Sequence, residues 1–214
     1  MSQIFIFGDS ITWGAWDLEH SGWVQRLRLE ADRHQCAVQG LWQPIYNLGI
    51  SGDTSAGLVR RMRGELIARH ESTVSSVVVV AIGINDSQRS LDGSRHEISA
   101  TAYHENLKSI ASIAHEFTTQ VYFVGLTPIQ DELLNPNPWD ASVSYRLSQA
   151  QEFDQVLTQF ADENSLPLIS LMEEWTNLDF RQLLSDGLHP NAAGHERTYQ
   201  RVRSRLVFDG IIDI

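Results

Sequence analysis

The sequence predicts an α/β fold: a three-layer sandwich in which a five-stranded parallel sheet lies between two layers of helices. Three observations carry this. Strand-like and helix-like stretches alternate along the whole chain in units of about 30 residues, the length of a strand, its crossover helix and their turns. The run 77–82 is apolar at every position, as expected of a central parallel strand covered on both faces. The first three strand-like runs each end in a glycine-containing turn, at Gly8, at Gly49 and Gly52, and at Gly83.

Taken in order, Ile4, Phe5, Ile6 and Phe7 form the first buried strand, and Gly8 lets the chain turn as it leaves the sheet. Trp23, Leu27 and Ala31 recur at helical spacing and predict a helix over 21–36. A second strand spans 43–48. It contains Pro44, which has no N–H for a ladder, so this strand belongs at a sheet edge. A glycine-rich turn at 47–54 leads into a helix with Leu58, Met62 and Leu66 on one face, and 77–82 is the third strand. Tyr103, Leu107, Ile110 and Ala114 define the next helix, followed by a fourth strand over 121–126.

From 127 to 145 the periodicity lapses among Pro128, Pro136, Pro138 and Trp139, and a long irregular loop is expected, which either covers a site or anchors itself to the surface. Leu147, Ala150, Phe153, Leu157 and Phe160 mark a further helix, 166–169 a short fifth strand, and Tyr199, Val202 and Leu206 the closing helix. Five parallel strands with the second at an edge fit the flavodoxin-like order 2-1-3-4-5.

The length of 214 residues suits one domain spanning 1–214. No apolar stretch approaches the ~20 residues of a membrane-spanning helix. No basic segment with a following apolar region precedes the first strand, so the expectation is a cytoplasmic protein without stable membrane insertion. With 16 basic and 27 acidic residues, the net charge of −11 opposes phosphate backbones and anionic lipid surfaces, so nucleic acid is not an expected partner. The basic groups at 60–63 and 201–205 read as solvated helix faces. Cys36 is the sole cysteine, which excludes an internal disulfide and a metal cluster of the Cys type. The sequence carries no signal of oligomeric state.

The chemistry converges at the strand ends. Ser10 sits just past the carboxyl end of the first strand, where open parallel sheets bind ligands, and is a candidate nucleophile. The candidate base is His189, held on a loop by the extended preference that Pro190 imposes. Asp186, three residues earlier across Gly187, can accept from its Nδ1–H and leave Nε2 to face Ser10. The backbone N–H groups of Ser10 and Gly52 and the side-chain amide of Asn85 can supply three donors to one oxyanion. Ile11, Trp13 and Leu188, beside these residues, are candidate pocket walls.

Each residue also has a plain structural role open to it: Ser10 as a turn residue, His189 as a backbone-bonded loop histidine, Asp186 as a cap. Their ordered combination favours catalysis. Asp9, Asp53 and Asp86 are expected to accept backbone N–H groups in their turns rather than to form a two-carboxylate or metal site. His195, inside the closing helix, is expected to be structural or solvent-facing. Trp16 and Trp23 read as core or rim aromatics.

The four blocks, Gly8-Asp9-Ser10, Asn47 with Gly52, Gly83-Ile84-Asn85-Asp86, and Asp186 with His189 and Pro190, together resemble the SGNH hydrolases, also called GDSL esterases. The resemblance covers nearly the whole chain. Isoleucine replaces the usual leucine after the serine, a volume-conserving change. Trp13 is similar to the variant of the first block in bacterial arylesterases and acyltransferases, which hints at a short acyl pocket. The resemblance implies hydrolysis of carboxylic esters or thioesters, of small to medium acyl chains and including lysophospholipid-like substrates, through an acyl-enzyme. It implies no metal and no organic cofactor, with a small-molecule ester as the partner. A carbohydrate acetylesterase of the same family is the alternative enzyme. A flavodoxin-like binding module is the non-enzyme alternative, against which the base-and-orienter pair argues.

Overall fold

The computed structural model describes residues 2–38, 41–92 and 98–212. In chain order its elements are β1 (Ser2–Gly8), α1 (Ser10–Trp13), α2 (Trp23–Ala37), β2 (Ile45–Gly49), α3 (Ser55–Arg69), β3 (Ser75–Ala81), β4 (Arg89–Ser90), α4 (Ala100–His115), β5 (Gln120–Val124), α5 (Asp131–Leu134), β6 (Val143–Ser144), α6 (Leu147–Glu163), β7 (Leu168–Ile169), α7 (Met172–Thr176) and α8 (Ala192–Phe208).

Because side chains alternate across a strand, β1 feeds two cores at once. Phe5 and Phe7 point into a cluster with Leu58 and Met62 of α3, Tyr103 and Leu107 of α4, and Phe153 and Phe160 of α6. Ile4 and Ile6 point the other way, to Trp23 and Leu27 of α2 and Val202 and Leu206 of α8. All of these side chains are fully buried or nearly so, and each large one contributes about 2 kcal/mol by leaving water. The all-apolar third strand is thereby explained: Val77 and Val79 belong to one core, Val78 and Val80 to the other.

The sheet runs β2-β1-β3-β5-β7 with every pair parallel, so its five strands follow the expected 2-1-3-4-5 order. Register sets Gly8 beside Gly49 on one side and Ala81 on the other. The three turns that follow these residues therefore open at one edge of the sheet.

Several boundaries differ from expectation. The second strand begins at Ile45, not at 43; Pro44 lies just before it and offers only its carbonyl, to Ile4 N at 2.9 Å. Pro167 likewise stays outside β7 and gives its carbonyl to Phe123 N at 2.9 Å, so the fifth strand shortens to two residues. The stretch 127–145 is not irregular throughout. It holds α5 and β6, and β6 pairs antiparallel with β4, register Arg89 to Ser144 and Ser90 to Val143. Elements this short leave no periodicity in a sequence.

Candidate active site

The first block is built by close approach. A Cβ on Gly8 would lie 2.1 Å from Thr12 Oγ1 and 2.4 Å from the Ala81 carbonyl, so only glycine lets β1 pass so tightly into α1. Asp9 caps α1, its carboxylate accepting from Ile11 N at 2.9 Å, and this leaves Ser10 as the first helical residue.

Ser10 Oγ lies 2.9 Å from Nε2 of His189, and Nδ1 of His189 lies 2.7 Å from Oδ2 of Asp186. The other carboxylate oxygen accepts the N–H groups of Leu188 at 2.9 Å and His189 at 2.8 Å, so the turn itself holds Asp186 against the ring. An ionised carboxylate only accepts; Nδ1 is therefore the donor and Nε2 is left to accept from the Ser10 hydroxyl. Burial would raise the Asp186 pKa, but the hydrogen bonds and attraction from His189 and the Leu188 N–H outweigh it and bring it down to about 2.

Two tryptophans frame the imidazole. The Trp16 indole donates to Asp186 Oδ2 at 2.6 Å, the same oxygen that His189 uses. The rings of Trp16 and Trp139 both meet the His189 ring edge-on, with centroids 5.7 and 5.5 Å away.

In the second block, the turn closed by Asp53 N to Ile50 O at 3.1 Å holds Gly52 at φ +77°, a conformation natural to glycine. Asn85 opens a short 3₁₀ turn, Asn85–Ser87. Its Nδ2 donates to the Asp53 carbonyl at 2.9 Å, and its Oδ1 accepts from the Tyr145 hydroxyl at 2.8 Å. Gln88 Nε2 donates in turn to that hydroxyl. Asn47 joins the first two blocks, donating to the Thr12 carbonyl at 2.9 Å and accepting from Gly49 N at 3.0 Å.

Ser10, Gly52, Asn85, Leu188 and His189 line one cleft of about 450 Å³ with Trp13, Trp16, Trp139 and Tyr145. Asp186 stands behind the imidazole. Ile11, expected at the pocket wall, instead packs against both apolar cores and does not line this cleft, because the turn of α1 points it inward.

The three neighbouring carboxylates each accept a backbone N–H, as expected: Asp9 from Ile11, Asp53 from Thr54 and Asp86 from Ser55. Burial dominates two of them. The Asp9 pKa is pushed up to about 7, the Ile11 N–H and His189 opposing and Asp86 and Asp53 adding to the rise. Asp86 is pushed up to about 6 by burial, against hydrogen bonds from the Ser55 hydroxyl and N–H. Asp53 is paired with Arg61 at 2.7 Å, and the same guanidinium donates to the Gly8 carbonyl at 3.0 Å. Arg61 is thus no solvated helix-face residue; it clamps the second block to the first. His195 is structural, its Nδ1 accepting from Trp23 N at 3.2 Å and its Nε2 donating to the Ala15 carbonyl at 2.8 Å.

Sequence patterns missed Tyr145, Gln88 and the indole of Trp16 as partners of the site. Tyr145 ends the aperiodic stretch and Gln88 follows Asn85 by three residues, so only the β4–β6 pairing brings them together.

The model of the GDSL-like lipase/acylhydrolase family matches residues 6–197. Esterase TesA of Pseudomonas aeruginosa is 27% identical over 200 residues, covering 93% of this chain and 85% of the relative. The crystal structure of a lipase/acylhydrolase from Enterococcus faecalis superposes with a TM-score of 0.72 at 25% identity, over 98% of this chain and 97% of the other. The acetyl xylan esterase AlAXEase shares the fold, with a TM-score of 0.73 at 18% identity over 95% and 99% of the two chains.

Proposed function

The chain belongs to the GDSL-like lipase/acylhydrolase family and is a carboxylic ester hydrolase; from that premise we propose that it is a serine esterase of small to medium acyl chains. In this proposal Ser10 is the nucleophile, His189 the base and Asp186 its orienter. The observation that carries it is the unbroken chain from Ser10 Oγ to His189 Nε2 at 2.9 Å and from His189 Nδ1 to Asp186 at 2.7 Å, beside a substrate-sized cleft.

The reaction runs in two halves. As Ser10 Oγ bonds to the carbonyl carbon of the ester, its proton passes to His189 Nε2, and the carbonyl electron pair moves onto oxygen. The N–H groups of Ser10 and Gly52 and the free Nδ2–H of Asn85 donate to that oxyanion. Collapse breaks the bond to the leaving alcohol or thiol, which takes the proton from His189 and departs, leaving acyl-Ser10. Water then gives its proton to His189 and attacks the acyl carbon; the second collapse releases the acid and returns the proton to Ser10 Oγ. With its pKa near 2, Asp186 stays ionised throughout and stabilises the imidazolium formed in each half.

A specific observation favours a second reading, an esterase of acetylated carbohydrates. Trp13, Trp16 and Trp139 line the cleft while 55%, 46% and 54% exposed, offering flat faces beside Gln88, Asn137 and Asp140, which can bond to hydroxyl groups. The deciding assay follows p-nitrophenol release from acetyl, butyryl and octanoyl esters and acetate release from acetylated oligosaccharides, with wild type and Ser10→Ala. Turnover by the wild type alone supports the serine mechanism, and the preferred substrate selects between the readings. A Ser10→Ala enzyme as active as wild type would sink both.

A further inference from the structure

We propose that Tyr145, set by Gln88, is a positioning residue that aims the side-chain amide of Asn85 at the substrate oxyanion. The inference rests on the assignment of Asn85 as an oxyanion donor and adds residues outside that assignment.

The number of protons available fixes the direction of each bond. The amide nitrogen of Gln88 only donates, and it donates to the Tyr145 hydroxyl. A phenol has one proton, so that proton is free to go to Asn85 Oδ1, 2.8 Å away. Asn85 Oδ1 is thereby held toward Tyr145, and one of the two Nδ2 hydrogens goes to the Asp53 carbonyl at 2.9 Å. The remaining N–H is left for the cleft that Asn85 lines. Turning the amide over would set its oxygen against the Asp53 carbonyl and leave the Tyr145 proton facing an NH₂ group, so both partners enforce the same orientation.

The burial of these groups gives the chain weight. Tyr145 is 2% and Asn85 6% exposed, so water cannot readily substitute for a missing partner. Burial also raises the phenol pKa well above its usual range, which keeps Tyr145 protonated and able to donate. Gln88 immediately precedes β4 and Tyr145 immediately follows β6, so the antiparallel pair fixes their meeting. The segment that carries Trp139 is thus tied, through Tyr145, to the amide that receives the developing charge.

The test is a double-mutant cycle on p-nitrophenyl butyrate, measuring kcat and KM for wild type, Tyr145→Phe, Asn85→Ala and the double variant, with thermal midpoints alongside. Phenylalanine keeps the ring and removes only the hydroxyl. The expected result is a kcat lowered about 10-fold by Tyr145→Phe with KM little changed, and no further loss when it is added to Asn85→Ala. Gln88→Leu, which removes the donor to the phenol, should lower kcat in the same sense and also lose its effect in the Asn85→Ala background. Full kcat in Tyr145→Phe beside a crippled Asn85→Ala would overturn the positioning role alone. Losses that multiply in the double variant would also overturn it, since Tyr145 would then act independently of Asn85. An Asn85→Ala enzyme with full turnover would instead remove the oxyanion assignment itself, and the positioning role with it.

Discussion

Replacing Asp186 by asparagine separates the orienting role proposed for this side chain in the reaction from its role in the fold. Its Oδ1 accepts the Leu188 and His189 N–H groups, and its Oδ2 accepts His189 Nδ1 and the Trp16 indole at 2.7 and 2.6 Å. An asparagine that keeps the backbone pair on its oxygen turns its NH₂ toward two donors. His189 can relieve the conflict only by moving its proton to Nε2, where the ring can no longer accept from Ser10. The expected cost is about 10⁴-fold in kcat, or about 5 kcal/mol. The structural cost is far smaller: the Trp16 indole loses its partner, but Trp16 is 46% exposed and water can reach it, so about 1 kcal/mol of stability is expected. The assay is p-nitrophenol release from the butyryl ester, paired with chemical denaturation of both proteins. The folded pKa of Asp186 is lowered to about 2, so its contribution to stability is present above the ordinary carboxylate range and is lost as pH falls through about 2. The stability difference between the two proteins should therefore shrink in acid. An Asp186→Asn enzyme within about ten-fold of wild-type kcat would refute the orienting role.

Asp9 should behave in the opposite sense. Its pKa is raised to about 7, so as pH rises from the ordinary carboxylate range through about 7 the wild type loses stability, which Asp9→Asn should retain. The thermal midpoint of Asp9→Asn relative to wild type should climb between mildly acidic and mildly alkaline buffer; a constant difference would contradict the raised pKa. Gly8→Ala drives a Cβ to 2.4 Å from the rigid Ala81 carbonyl, and a loss of about 3 kcal/mol or more is expected in urea titration. An unchanged midpoint would show that the turn has room for a methyl group. Trp139→Ala removes one aromatic edge from His189 and one wall of the cleft, so KM should rise about 3- to 10-fold with a smaller change in kcat. A kcat loss as large as that of Asp186→Asn would instead make Trp139 part of the orientation of His189.

Local chemistry made the frame of this protein legible in its sequence. The alternation of apolar runs with helical spacing gave the α/β layers, because burial on both faces of a parallel strand demands a continuous apolar run such as 77–82. Pro44 marked the edge strand because a ring nitrogen cannot join a ladder, although it stands just before that strand rather than in it. Ser10, Gly52 and Asn85 were visible in glycine turns after the first three strands, and Asp186 and His189 as a pair three residues apart in the loop before the closing helix, which the structure brings to hydrogen-bond distance.

Contacts between groups far apart in the chain were set by how the elements pack. Ile11 adjoins Ser10 in sequence yet points into the core, since one helical residue turns the side chain by about 100°. Arg61 sits in a basic run that reads as surface, yet its guanidinium spans Asp53 and the Gly8 carbonyl. Trp16 reaches Asp186 and Tyr145 reaches Asn85 across 170 and 60 positions, through loops whose shape no periodicity encodes. Spacing along a chain reports which face a residue takes on its own element; which buried donor meets which acceptor is fixed only when the elements pack.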